Sequence, residues 1–229
     1  RLCLPFAGGG ASVFRAWPAR LPPEGDVWPL QLPGRETRLR DQPLRDMGAM
    51  VSALSEALRP ALDLPVAIFG HSMGALIGFE LARALAAEGA APTHLFVSAM
   101  RAPQLLDRQV RIAALRDPDF IEALRRLKGT PEQVLQNAEL MALLLPVLRA
   151  DFALVESYAY APGAPLASPI VAFGGQADTR VRPRELQAWA EQTSAGFQQN
   201  TVPGDHFFIR GAPDPVLQAI GQALVAPSG

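Results

Sequence analysis

The sequence predicts an α/β fold: a mostly parallel sheet flanked by helices, carrying one helical insertion. Three observations point there. Short apolar runs of strand-forming residues alternate with segments of helical period along most of the chain, as in parallel sheets joined by crossover helices. Prolines stand at positions 183 and 213, where a helix can begin without losing a hydrogen bond. One long stretch, 102–161, carries helical patterning and no convincing strand.

Taken in order, the expected strands are 2–6, 27–32, 66–69, 94–99, 170–173 and 197–202. The expected helices between them run over 44–62, 73–88, 183–192 and 213–224. Residues 1–101 and 162–229 thus form the sheet-bearing core, and 102–161 an insertion. Within it, Asp117-Pro118 and Thr130-Pro131-Glu132 each place a capping side chain ahead of a proline and predict helix starts. Pro146, inside an apolar run, is expected to kink or divide the last helix. An insertion between two strands belongs over the sheet's C-terminal edge, where such sheets place their ligands, and reads as a lid. The alternative is a bundle that merely packs on the sheet.

The 229 residues suffice for one domain with a sizeable core, and 49% hydrophobic with 19% charged residues is ordinary for a globular protein. A formal net charge of −1 supplies no global field for nucleic acid or an anionic membrane. The most apolar stretch, 140–148, falls far short of the roughly 20 residues of a membrane span. Cys3 is the only cysteine, so no internal disulfide forms. It is expected to be a buried strand residue, and a cytoplasmic location fits. No secretory leader is visible in a sequence that opens at Arg1.

Gly70-His71-Ser72-Met73-Gly74 matches G-x-S-x-G between an apolar run and a helical segment. That is the setting of a nucleophile elbow in the α/β-hydrolase fold, with serine on a tight strand-to-helix turn. Ser72 is the expected nucleophile. Serine needs a base, and of three histidines His206 lies on a loop between the last strand and last helix, free to reach it. His71 should support the elbow, and His94 reads as an ordinary surface residue. The orienting acid should fall between serine and histidine in chain order. Asp178 does so, after a strand and a glycine turn, with Asp151 and Asp205 as rivals. Asp151 is expected to face solvent or pair with a nearby arginine. Backbone N–H groups of Met73, after the nucleophile, and Ala7, in the glycine-rich loop after the first strand, are the expected oxyanion donors. Arg35 and Arg101 read as solvated charges.

Together these motifs resemble the discrete type II thioesterases of polyketide synthase and nonribosomal peptide synthetase systems. The resemblance rests on Leu4-Pro-Phe-Ala-Gly-Gly-Gly-Ala11, Phe14-Arg-Ala-Trp17, Leu32-Pro-Gly-Arg35 and Phe69-Gly-His-Ser-Met-Gly-Ala75. It continues in Leu145-Pro-Val-Leu-Arg-Ala-Asp-Phe152, Glu156-Ser-Tyr158 and Gly204-Asp-His-Phe-Phe208. Phe6 departs from the pattern, standing where relatives often carry histidine or tyrosine. The resemblance implies hydrolysis of stalled acyl groups from the phosphopantetheine arm of acyl and peptidyl carrier proteins. It implies no cofactor or metal, and the expected partners include neither nucleic acid nor membrane. Oligomeric state is left open, with a monomer as the default. The rival readings are a small-ester carboxylesterase or lipase, a product-cyclising thioesterase, and an inactive hydrolase fold used as a binding module.

Overall fold

The computed structural model describes residues 1–21, 25–106 and 111–225. Six parallel strands form one sheet: β1 (Leu2–Leu4), β2 (Trp28–Pro29), β3 (Ala67–His71), β4 (His94–Ser98), β5 (Ile170–Gly175) and β6 (Phe197–Val202). Their order is β2-β1-β3-β4-β5-β6, and every pairing is parallel. β1 ends at Leu4 and β2 spans two residues. Pro5, Pro29 and Pro33 lack the N–H a ladder needs, which shortens both relative to expectation. β3 instead runs on to His71, in register with Ser98.

Alternation along the central strands sorts the core into two layers. Ile68, Leu95, Val97, Ile170 and Ala172 face one side, with α1 (Met47–Leu58) and α2 (Met73–Ala87). Ala67, Phe69, Phe96, Val171 and Phe173 face the other, against Phe14, Trp17 and α8 (Asp214–Val225). Each fully buried aromatic or leucine contributes roughly 1.5–3 kcal/mol of transfer free energy. Cys3, in β1, is buried, and that burial pushes its thiol up to about 12.

The insertion holds α3 (Asp117–Leu127), α4 (Glu132–Leu135) and α5 (Ala138–Ser157), with no strand among its described residues. Phe120, Leu124, Leu135, Met141 and Leu148 form a small core of their own. Leu154, further along α5, joins the main core, so one helix belongs to both. α6 (Pro183–Gln187) and α7 (Phe208–Gly211) complete the set.

Three expectations are corrected. Pro146 does not divide α5, which continues through it; the proline is exposed, so water can serve the carbonyl its ring leaves unbonded. The two expected helix starts stand, α3 at Asp117 and α4 at Glu132, but neither Asp117 nor Thr130 caps its helix. The cap positions fall to Arg116 and Pro131 without side-chain bonds, and the Asp117 carboxylate accepts from Arg149 on α5. The region expected to form one helix over 183–192 is α6 followed by a tighter 3₁₀ stretch from Ala188 to Gln192.

Candidate active site

The elbow is built where β3 turns into α2. Ser72 sits at φ 54° and ψ −119°, a sparsely populated region that costs on the order of 1–3 kcal/mol and must be held by its surroundings. The flanking glycines show why this turn tolerates no side chain. A Cβ on Gly70 would lie 2.1 Å from the Gly74 carbonyl oxygen, and one on Gly74 would lie 2.2 Å from that of Leu4. The first turn of α2 therefore presses directly on the end of β1. The Ser72 N–H donates to the Ser98 carbonyl at 2.7 Å, which ties the elbow to β4.

His206 Nε2 lies 3.1 Å from Ser72 Oγ, and His206 Nδ1 lies 2.8 Å from Asp178 Oδ2. The histidine follows β6 and the aspartate follows β5, so parallel strands deliver all three side chains to one edge. The Asp178 side chain is shielded from solvent. Burial opposes its charge, yet the hydrogen bond and charge of His206 and the N–H groups of Arg180 and Val181 outweigh it. The carboxyl is thereby held below its ordinary range. An ionised Asp178 keeps the proton on Nδ1 and leaves Nε2 to face the serine hydroxyl.

His71 supports this array from beneath. It is fully buried, bonds Ser98 Oγ through Nδ1 at 2.8 Å, and meets the His206 backbone carbonyl through Nε2 at 2.9 Å. Nε2 must carry a proton to donate to a carbonyl, so Nδ1 accepts from the Ser98 hydroxyl. Desolvation, then the neighbouring His206, lowers the His71 pKa well below the usual value, which keeps the ring neutral. No motif in the sequence pointed to Ser98.

Ala7 lies in the turn after β1 and Met73 at the start of α2. Met73 opens α2, and a first helical residue has no intrahelical partner for its N–H. In the turn after β1, the Gly9 N–H donates to Phe6 and that of Gly8 to Asp151. Among the described residues no acceptor takes the Ala7 N–H. Phe6 packs edge-on against His71 and Phe207.

Asp151 takes the second of its two expected settings, an arginine pair, while Arg35, Arg101 and His94 differ from expectation. Asp151 is fully buried and Arg35 nearly so, and they form a bidentate pair at 2.7 Å on both arms. Burial pushes the Asp151 carboxyl up, against the pull of Arg35 and the Gly8 N–H. Arg35 is therefore no solvated charge, and Asp151 contacts neither His206 nor solvent. Arg101 is half-buried, donating to the Arg180 carbonyl and pairing with Glu185. His94 is half-buried too, stacked on Phe96. Among the described residues no helix is long and apolar enough to cross a membrane.

Comparison with known proteins follows the same lines. The model of the thioesterase domain family matches residues 2–224. The gramicidin S biosynthesis protein GrsT of Aneurinibacillus migulanus is 48% identical over 208 residues, covering 90% of this chain and 81% of that protein. RedJ, a thioesterase from the prodiginine pathway of Streptomyces coelicolor, superposes with a TM-score of 0.90 at 41% identity, over 97% of this chain and 89% of RedJ. BorB, the type II thioesterase of the borrelidin cluster, does so at 0.89 and 39%, over 97% and 91%. With a match from the first strand to the last helix, the chain belongs to the thioesterase domain family, on an α/β-hydrolase fold.

Proposed function

We propose that this chain is a type II thioesterase that hydrolyses aberrant or stalled acyl groups from phosphopantetheinyl carrier proteins of a polyketide or nonribosomal peptide assembly line, acting in the cytoplasm. The observation that carries the reading is the continuous Ser72–His206–Asp178 chain at 3.1 and 2.8 Å. Its setting among relatives named for such pathways supports the substrate class.

The geometry suits acyl transfer. His206 Nε2 takes the proton from Ser72 Oγ as that oxygen attacks the thioester carbonyl. Negative charge gathers on the carbonyl oxygen, where the N–H groups of Ala7 and Met73 receive it, each such donor being worth roughly 3 kcal/mol of barrier. Collapse breaks the carbon–sulfur bond, and His206 returns the proton to the departing thiolate. Water then gives its proton to His206 and attacks the acyl-serine, and the free acid leaves as Ser72 regains its hydrogen. Asp178 holds the imidazole in the required tautomer and balances its transient positive charge. The helices of 102–161 act as a lid whose movement admits the pantetheine arm.

The test offers acyl-loaded carrier protein and a simple aryl ester to the same enzyme. The carrier thioester is expected to be preferred in kcat/KM, and strong preference for the aryl ester would assign the chain to the carboxylesterases. A fluorophosphonate probe is expected to label wild type and not Ser72→Ala. Equal labelling would remove Ser72 as nucleophile.

A further inference from the structure

Asp151 belongs to the insertion, yet its carboxylate ends inside the turn proposed to bind the oxyanion. Oδ2 accepts from the Gly8 N–H at 2.7 Å, and Arg35, from the loop after β2, closes on both carboxylate oxygens. The same guanidinium donates to the Gly9 carbonyl at 3.1 Å and to that of Pro33 at 3.4 Å. One turn before Asp151 on α5, Leu148 fills the space beside Gly8, where a Cβ would stand 2.6 Å from its Cδ2. Three segments distant in sequence are thus fastened together at the Gly8–Gly9 stretch of the turn.

Two physical consequences follow from that arrangement. A turn held at two of its peptide units, through the Gly8 N–H and through the Gly9 carbonyl, has little freedom to rotate. The adjacent Ala7 N–H, which has no acceptor among the described residues, is thereby held in one direction. A bare carboxylate this near an oxyanion would also repel it. The bidentate guanidinium neutralises that charge where water cannot, since the two side chains are 5% and 0% exposed. Buried ion pairs add little net stability over apolar residues of similar size, so stability gives weak reason for this one.

We propose that Arg35 and Asp151 are positioning residues that set the oxyanion-binding turn and make its competence depend on the seating of α5. The inference rests on the reading of Ser72 as nucleophile and Ala7 as donor. When α5 seats, the Asp151 carboxylate captures Gly8 and the Ala7 N–H comes to bear. When α5 lifts, the turn loses its anchor and the serine faces a carbonyl it stabilises poorly.

The probe is an acyl trifluoromethyl ketone, which adds Ser72 Oγ to its carbonyl and leaves a hemiketal oxygen in the oxyanion position. Asp151→Asn and Arg35→Lys are expected to lower kcat about 10- to 100-fold, less than outright loss of a donor. KM should stay within about twofold, ketone affinity should fall by the same factor as kcat, and the hemiketal pKa read by fluorine NMR should rise. Should either single variant fold poorly, Arg35→Met/Asp151→Leu refills the buried volume with apolar groups and is expected to show the same losses. Folded variants with wild-type kcat and ketone affinity, or with a change in KM alone, overturn the inference. If wild type binds the ketone no better than Ser72→Ala, the reading beneath it falls, and this inference with it.

Discussion

At the scale of single residues, the site depends on two histidines kept in different states. Asp178→Asn is expected to lower kcat by about 10,000-fold with Tm within a few degrees, because the amide favours the wrong tautomer of His206. Steady-state kinetics beside a melting curve checks both halves. His71 yields an expectation on stability. Its folded pKa is depressed by burial and by His206, with Arg210 adding to the effect and Asp178 opposing it. As pH falls below 6.5, its unperturbed value, the unfolded chain binds a proton that the folded chain refuses. Stability from this residue is therefore complete above that pH and declines below it, by up to about 1.4 kcal/mol per unit. Urea unfolding at pH 7, 6 and 5 should show a steeper decline for wild type than for His71→Gln. That Ser72, His206 and Asp178 would meet was legible in sequence because chain order and flanking turns constrain them. An arginine pair was one of two expectations for Asp151, but its partner was not legible, since nothing local says that a loop arginine and a helical aspartate meet 116 residues apart.

At the scale of elements, glycine and proline decide what a segment can become. Gly70→Ala and Gly74→Ala each drive a methyl into a backbone oxygen that no rotamer change can move. Both are expected to lose soluble, folded protein, read by expression yield and circular dichroism. Pro146 works the other way. It lies exposed in an otherwise continuous α5, where proline costs about 3 kcal/mol relative to alanine. The stiffer unfolded chain offsets up to about 1 kcal/mol of that. Pro146→Ala is therefore expected to stabilise the protein by about 2 kcal/mol, visible as a higher urea midpoint. The apolar runs located every described strand, the inner four because burial on both faces leaves a continuous apolar signature. Strand and helix ends were less legible. β2 shrank to two residues around its prolines, whereas α3 does begin at Asp117-Pro118 as the sequence suggests, with Asp117 bonded to Arg149 rather than capping the helix.

At the scale of the molecule, the sheet sets a gradient of order. β3, β4 and β5 lie at its centre with almost every residue buried, whereas β2 is a two-residue edge and β6 an edge strand half open to solvent. Hydrogen exchange followed by mass spectrometry should find peptides from the three central strands slowest, and those from α3 and α4, which rest on a small separate core, among the faster. Fold class was readable from the order of segments, since six parallel strands with crossover helices admit few arrangements. How the insertion meets the sheet was not, because α5 serves two cores at once. The same gradient gives the buried thiol of β1 a use. Shut within the sheet and shifted toward neutrality, Cys3 should ignore disulfide reagents and alkylating agents while the fold stays closed. It becomes modifiable only when the sheet parts, so the pace of its modification under native conditions is a clock for rare, global opening events, with a single tick per molecule and no introduced label.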